Sequence, residues 1–181
     1  MSAPSKGLSA GTWVIDPAHS SLQFAVRHLM VSKVRGRFTD FSGTLVVHPD
    51  GSADADAEIN VESVTTDNPQ RDAHLATADF FDVAEYPKAT FKATGFKALS
   101  NEFSLTGDFT IAGTTHPVTL DVEFLGTGPG MADAPVAGFT ATATINRRDF
   151  GITTDMPMAD GGAVIGDKIN LSLDVEVNLQ S

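Results

Sequence analysis

The 181-residue chain contains no cysteine. That excludes disulfides, thiolate metal ligands and cysteine nucleophiles, and leaves the compartment open. Positive charge is also scarce, with 12 Lys and Arg against 23 Asp and Glu and a net charge of -11. Such a balance argues against nucleic acid or an anionic membrane as the main partner. No segment approaches the roughly 18 consecutive apolar residues of a membrane span, so no transmembrane segment is expected. Met1 to Gly11 is small and polar and lacks the apolar stretch of about 7–15 residues that a signal peptide needs. It reads as a flexible lead-in, and the chain reads as cytoplasmic. Internal repeats, low-complexity tracts and linkers are missing too, so residues 1–181 are expected to form one domain.

Catalytic signatures are equally sparse. There is no Gly-x-Ser-x-Gly elbow, no P-loop and no glycine-rich dinucleotide turn. The five histidines (His19, His28, His48, His74 and His116) include no pair spaced to place two ligands on one helix face or hairpin, so no metal site is expected. His19, His28 and His74 would have to converge through the fold to make one. Asp54, Asp56, Glu58 and Glu62 occupy outward positions, where they solvate a sheet and do not pair as acid and base. No catalytic residue and no cofactor is assigned.

What the chain does have is alternation. Ile169, Leu171, Leu173, Val175, Val177 and Leu179 interleave with polar residues, as do Val118 to Phe124 and Phe139 to Ile145, each marking a half-buried strand. Leu22, Phe24, Val26 and His28 share one face of another strand, and Ala57, Ile59 and Val61 one face of a fifth. Thr12–Asp16, Lys33–Val47, Ala89–Phe96 and Asn101–Ile111 are less regular candidates. A sheet with one polar face suits antiparallel strands, and many such strands with short connections close into a barrel or stack as a sandwich. With 41% apolar residues the chain can build that core.

One stretch breaks the pattern. Asn68 can cap a helix whose first position suits Pro69, and nothing strongly helix-breaking follows before Ala78. The adjacent Phe80 and Phe81 either fold across a barrel end or fill an ordinary core. Gly126–Pro135 and Thr153–Gly162, with Met156 and Met158, read as loops, the methionines as core or rim packing.

Four motifs carry a resemblance. Ile15-Asp16-Pro17-Ala18-His19-Ser20 is followed by Phe24 to Leu29 and Val34 to Phe38; Asn68–Leu75 precedes Phe80-Phe81-Asp82 and Tyr86 to Phe91; then come Leu105–Gly113 and Asn146–Gly151. In this order, from about Thr12 to Val177, they resemble the YceI-like family. The resemblance implies an all-β, antiparallel, lipocalin-like barrel of about eight strands with a short helix near Asn68–Ala78. It also implies an elongated apolar cavity for a polyisoprenoid, an isoprenoid quinone precursor or a fatty amide, and binding without established catalysis. Many family members are periplasmic and carry a signal peptide, so a periplasmic role is not transferred.

The leading function is therefore a carrier or store for a long-chain hydrophobic ligand. A lipid-modifying enzyme using a cavity histidine or acid, and a packed-barrel interaction module, remain alternatives. Alternation makes Leu22, Phe24, Val26, Phe38, Leu105, Phe109, Leu120, Phe124, Phe139 and Ile145 the expected lining, with Phe80 and Phe81 near the helix. His28, Arg71, Asp72 and His74 are expected at the head group or rim; Arg71 and Asp72 could equally tie the helix to neighbouring strands. Edge pairing or an apolar rim would allow a homodimer, which no heptad or repeat specifies.

Overall fold

The computed structural model describes residues 8–29, 31–131, 134–155 and 165–180. Its strands are β1 (Gly11–Ile15), β2 (Ser21–His28), β3 (Ser32–Phe38), β4 (Phe41–Val47), β5 (Ala53–Asn60), β6 (Val64–Thr65), β7 (Lys88–Phe96), β8 (Glu102–Ile111), β9 (Thr114–Pro129), β10 (Pro135–Asn146) and β11 (Ile165–Leu179). Among the described residues, one α-helix, α1 (Pro69–Leu75), lies between β6 and β7.

These 11 strands make an eight-stave barrel. β1 and β2 lie end to end along one edge of β11, β2 beside Ile165–Asp174 and β1 beside Val177–Leu179. β3 pairs with β2 and β4 with β1, so β3 and β4 likewise form one bent stave. β5 and β6 form a third, since β5 pairs with β4 and β6 with β3. The remaining neighbours follow in chain order, every pair is antiparallel, and β1 against β11 closes the ring. Eight tilted strands enclose an interior wide enough for side chains or one small ligand.

Each bend frees backbone groups that must find new partners. In the β1–β2 bend, Asp16 Oδ1 accepts from the Ala18 amide at 3.0 Å, and the Asp16 amide donates to the Glu176 carbonyl. Ser63 serves the other two bends at once: its Oγ accepts from the amides of Thr39 and Asp40 at 3.1 and 3.0 Å while donating to the Asn60 carbonyl at 2.7 Å. Lys33–Val47, expected as one run, therefore divides at Thr39-Asp40.

α1 starts as its sequence dictates, with Asn68 Oδ1 accepting from the Arg71 amide at 3.1 Å and Pro69 in the first turn. It ends at Leu75, short of Ala78, because the Thr77–Asp82 turns take over the backbone bonds: Phe81 donates to Leu75 and Val83 to Ala76. Gly126–Pro129, expected as loop, is the end of β9, in register with Pro135–Gly138. Glycine and proline are tolerated there because the hairpin tip needs little side-chain packing. Met156 and Met158 lie outside the described residues. Of the polar lead-in, Leu8 is buried against Trp13, Val47, Ala137 and Val177, and Ser9 accepts from Trp13 Nε1 at 3.1 Å.

Candidate ligand-binding site

Inward positions along the staves alternate between rings and very small side chains. β5 presents Ala53, Ala55 and Ala57; β7 presents Ala89, Phe91, Ala93 and Phe96; β10 presents Phe139, Ala141, Ala143 and Ile145. Some small positions are filled by a neighbour's ring. Phe24 lies over Gly36, where a Cβ would stand 2.3 Å from its ring, and Phe91 lies over Gly107, where the distance would be 2.5 Å. Others are not filled, and two apolar hollows result.

The first, of about 160 Å³, lies towards the Trp13 end and is lined by Leu8, Leu45, Ala55, Phe103, Leu120 and Val175 among others. The second, of about 120 Å³, lies under α1 and the Phe80-Phe81 turn, between Phe24, Val26, Phe38, Phe109, Ile145 and Leu171. They abut along the barrel axis. Phe91 of the first pairs across strands with Phe109 of the second, and Leu173 and Leu171 are successive inward residues of β11. The interior is hollow in two places and not packed throughout.

Leu105, Leu120 and Phe139 line the first hollow. Phe24, Val26, Phe38, Phe80, Phe81, Phe109 and Ile145 line the second. Leu22 packs into the core without reaching either, and Phe124 lies against Phe139, ring centroids 5.3 Å apart, beside the Trp13 cluster. The polar candidates sit apart from both. Asp72 Oδ1 accepts from the Thr66 amide at 2.8 Å and its hydroxyl at 2.6 Å, while Arg71 Nε donates to Thr66 Oγ1 at 2.8 Å and its second terminal nitrogen to the Thr66 carbonyl. Both side chains tie α1 to the end of β6. His74 pairs with Asp79 at 2.9 Å and meets Phe80 edge-on, at the rim. His28 ends β2, opposite Ser32 and Ile165.

Sequence reasoning missed the alanine wall of β5, the Phe91, Phe96 and Phe103 rings, and Arg147. Arg147 is 4% exposed yet borders the second hollow. Its Nε donates to the Gly166 carbonyl at 3.0 Å; one terminal nitrogen donates to the Ile152 and Thr154 carbonyls, and the other faces Asp155 and Asp167 at 3.1 and 3.2 Å. Every donor is engaged, so the guanidinium is a structural hub. The only signal in sequence was the Asn146–Gly151 motif.

His19, His28 and His74 do not converge. His19 instead joins Asp16 and Glu176, with one possible ligand atom from each lying within 4.8 Å of the others. Its Nδ1 sits 2.8 Å from Asp16, which holds the imidazole above its ordinary pKa, and Asp16 is held below the usual carboxylate range by the same bond. Among the described residues, no buried side-chain nitrogen or oxygen lacks a hydrogen-bond partner.

Comparison with known proteins agrees with this architecture. The chain is 37% identical over 170 residues to a UPF0312 protein of Staphylococcus aureus, covering 92% of this chain and 97% of that one. It is 40% identical over 140 residues to Protein YceI of Salmonella newport, covering 76% and 73%. Among solved structures, the YceI protein of Campylobacter jejuni superimposes with a TM-score of 0.71 at 32% identity, over 86% of this chain and 90% of that one. A polyisoprenoid binding domain from Saccharophagus degradans shares the fold, with a TM-score of 0.68 at 14% identity over 95% and 100%. The model of the YceI-like domain matches residues 13–177, and the chain belongs to that family.

Proposed function

We propose that this protein binds and carries or stores a long-chain hydrophobic molecule, such as a polyisoprenoid, within the barrel. The observation that carries this reading is the pair of abutting hollows with almost wholly hydrocarbon walls. An apolar hollow of about 150 Å³ elsewhere stays dry and takes up benzene. Two in series suit a linear chain that parts the side chains between them. Each methylene withdrawn from water contributes about 0.8 kcal/mol. Association costs at least about 4 kcal/mol, so chains of fewer than about five carbons gain nothing and only long ones bind well. The Saccharophagus domain, described as polyisoprenoid-binding, supports the same class of ligand.

The described lining offers little to an enzyme. Arg147 is saturated, and Asp56, at the edge of the first hollow, accepts from Thr44 Oγ1 at 3.0 Å. A packed interaction module would not leave these hollows. The test is titration with linear alcohols of increasing length, read by fluorescence of Trp13, the single tryptophan, which packs beside Leu8 at the first hollow. Affinity should rise up to about fourfold per methylene until the barrel is full. Affinity independent of chain length would overturn the proposal.

A further inference from the structure

The bend between β1 and β2 gathers donor side chains on the outside of the barrel, where the hollows make no use of them. Asp16 follows β1, His19 ends the turn Pro17–His19, and Glu176 arrives on β11 from the other end of the chain. One ligand atom from each lies within 4.8 Å of the others. His19 Nδ1 stands 2.8 Å from Asp16 Oδ2 and 3.9 Å from Glu176 Oε1. Donors held about 2.0–2.2 Å from one tetrahedral ion stand roughly 3.4 Å apart, so these atoms already bracket that spacing.

Backbone contacts fix the three residues relative to one another. The Asp16 amide donates to the Glu176 carbonyl at 2.8 Å, and Ser20 Oγ accepts from the Glu176 amide at 3.0 Å while donating to its carbonyl at 3.4 Å. Asp16 Oδ1 is occupied by the Ala18 amide, which orients the carboxylate and leaves Oδ2 turned to the imidazole. Glu176 lies opposite Gly138 of β10, whose missing side chain leaves space beside the carboxylate.

The charge around the set is unbalanced. His48 and His74 each face a single acid, Asp54 and Asp79, whereas His19 faces two. The set lines a groove of about 750 Å³ to which the described residues contribute no Lys or Arg. Among those residues, neither Asp16 nor Glu176 has an ion-pair partner other than His19. With His19 neutral, two carboxylates therefore face the groove with no protein cation to balance them.

We propose that Asp16, His19 and Glu176 hold one divalent cation of the zinc type, with water from the groove completing its coordination. An imidazole nitrogen among the donors favours such an ion over calcium or magnesium, which take oxygen ligands in greater number. The neutral His19 ring presents Nδ1 to the ion and carries its proton on Nε2. The bound ion ties the β1–β2 bend to β11, at the joint where two strands make one stave.

The test titrates zinc chloride and calcium chloride by calorimetry into the full chain after chelator treatment, with the histidine ring resonances followed by NMR. It is repeated on Glu176→Gln and His19→Gln; Asp16 is left unchanged because its Oδ1 holds the bend. The wild type should bind one zinc ion at least about tenfold more tightly than calcium, and the His19 ring should shift before the other histidines. Each variant should lose at least about tenfold in zinc affinity. Zinc at about a hundred times its Kd should raise the wild-type Tm by about 5–10 °C. The ring shifts are read on the unsubstituted protein and so do not depend on how the variants fold. Equal zinc affinity in the wild type and both variants would overturn the proposal. So would His48 or His74 shifting in place of His19, calcium binding as tightly as zinc, or no zinc binding at all.

Discussion

Ala55→Phe separates a ligand chamber from a mere packing defect. Ala55 sits on β5 between Leu45 of β4 and Ala93 of β7 and lines the first hollow. That hollow, about 160 Å³, can accept a phenyl ring, since about 150 Å³ suffices for benzene. Filling a cavity typically adds about 0.5–2 kcal/mol of stability, and residual crowding costs about 1–3 kcal/mol. The net change should lie between a loss of about 2.5 and a gain of about 1 kcal/mol, so Tm should fall by no more than roughly 10 °C or rise by no more than roughly 4 °C. Binding should respond far more strongly. A ring that displaces about five methylenes of ligand removes about 4 kcal/mol, close to a thousandfold in Kd. Thermal denaturation and Trp13-monitored titration with a long-chain isoprenol read the two effects separately. A folded Ala55→Phe protein with wild-type affinity would refute the placement of ligand in the first hollow.

Other expectations follow from individual contacts. Arg147→Met should cost about 3–5 kcal/mol and lower Tm by about 6–20 °C, because it leaves buried carbonyls and two carboxylates without their donor; a loss under about 1 kcal/mol by denaturant melting would contradict the hub. Phe80→Ala, at a ring only 9% exposed, should destabilise by about 3–5 kcal/mol and speed ligand release, read by stopped-flow displacement. His74→Ala should leave ligand affinity unchanged, because its partner is Asp79 at the rim. For His19, raised from 6.5, the stabilising contribution is complete below 6.5 and fades as pH rises through its folded value; for Asp16, lowered from 3.8, it is complete above 3.8 and fades as pH falls through its folded value. The pair is therefore fully effective between those two values. NMR titration should place the His19 midpoint above 6.5 and move it down in Asp16→Asn.

Alternation disclosed most strands and the identity of much of the lining, because a pleated strand must send successive side chains to opposite faces. The bends were less legible. Thr39-Asp40 carries no glycine or proline, and its backbone is satisfied by Ser63, which only the folded chain brings near. Gly126–Pro129 misled for the opposite reason, since loop-like composition there forms the end of a long hairpin. The hollows themselves were invisible, because the Ala53, Ala55 and Ala57 faces look like weak strand residues until Phe96 and Phe103 are seen across the space they leave. Phe124 shows the converse, an inward ring absorbed by Phe139 before it reaches the cavity. The Arg147 hub and the Asp16–His19–Glu176 cluster depend on long-range contacts that spacing does not encode.

Occupancy of the barrel by a long hydrophobic chain is tested most directly by native mass spectrometry of the purified protein. The wild type should carry a discrete adduct, retained from its host or acquired from added long-chain isoprenol, that organic extraction removes and Ala55→Phe does not take up. A bare mass after incubation with isoprenol, identical for wild type and variant, would contradict it.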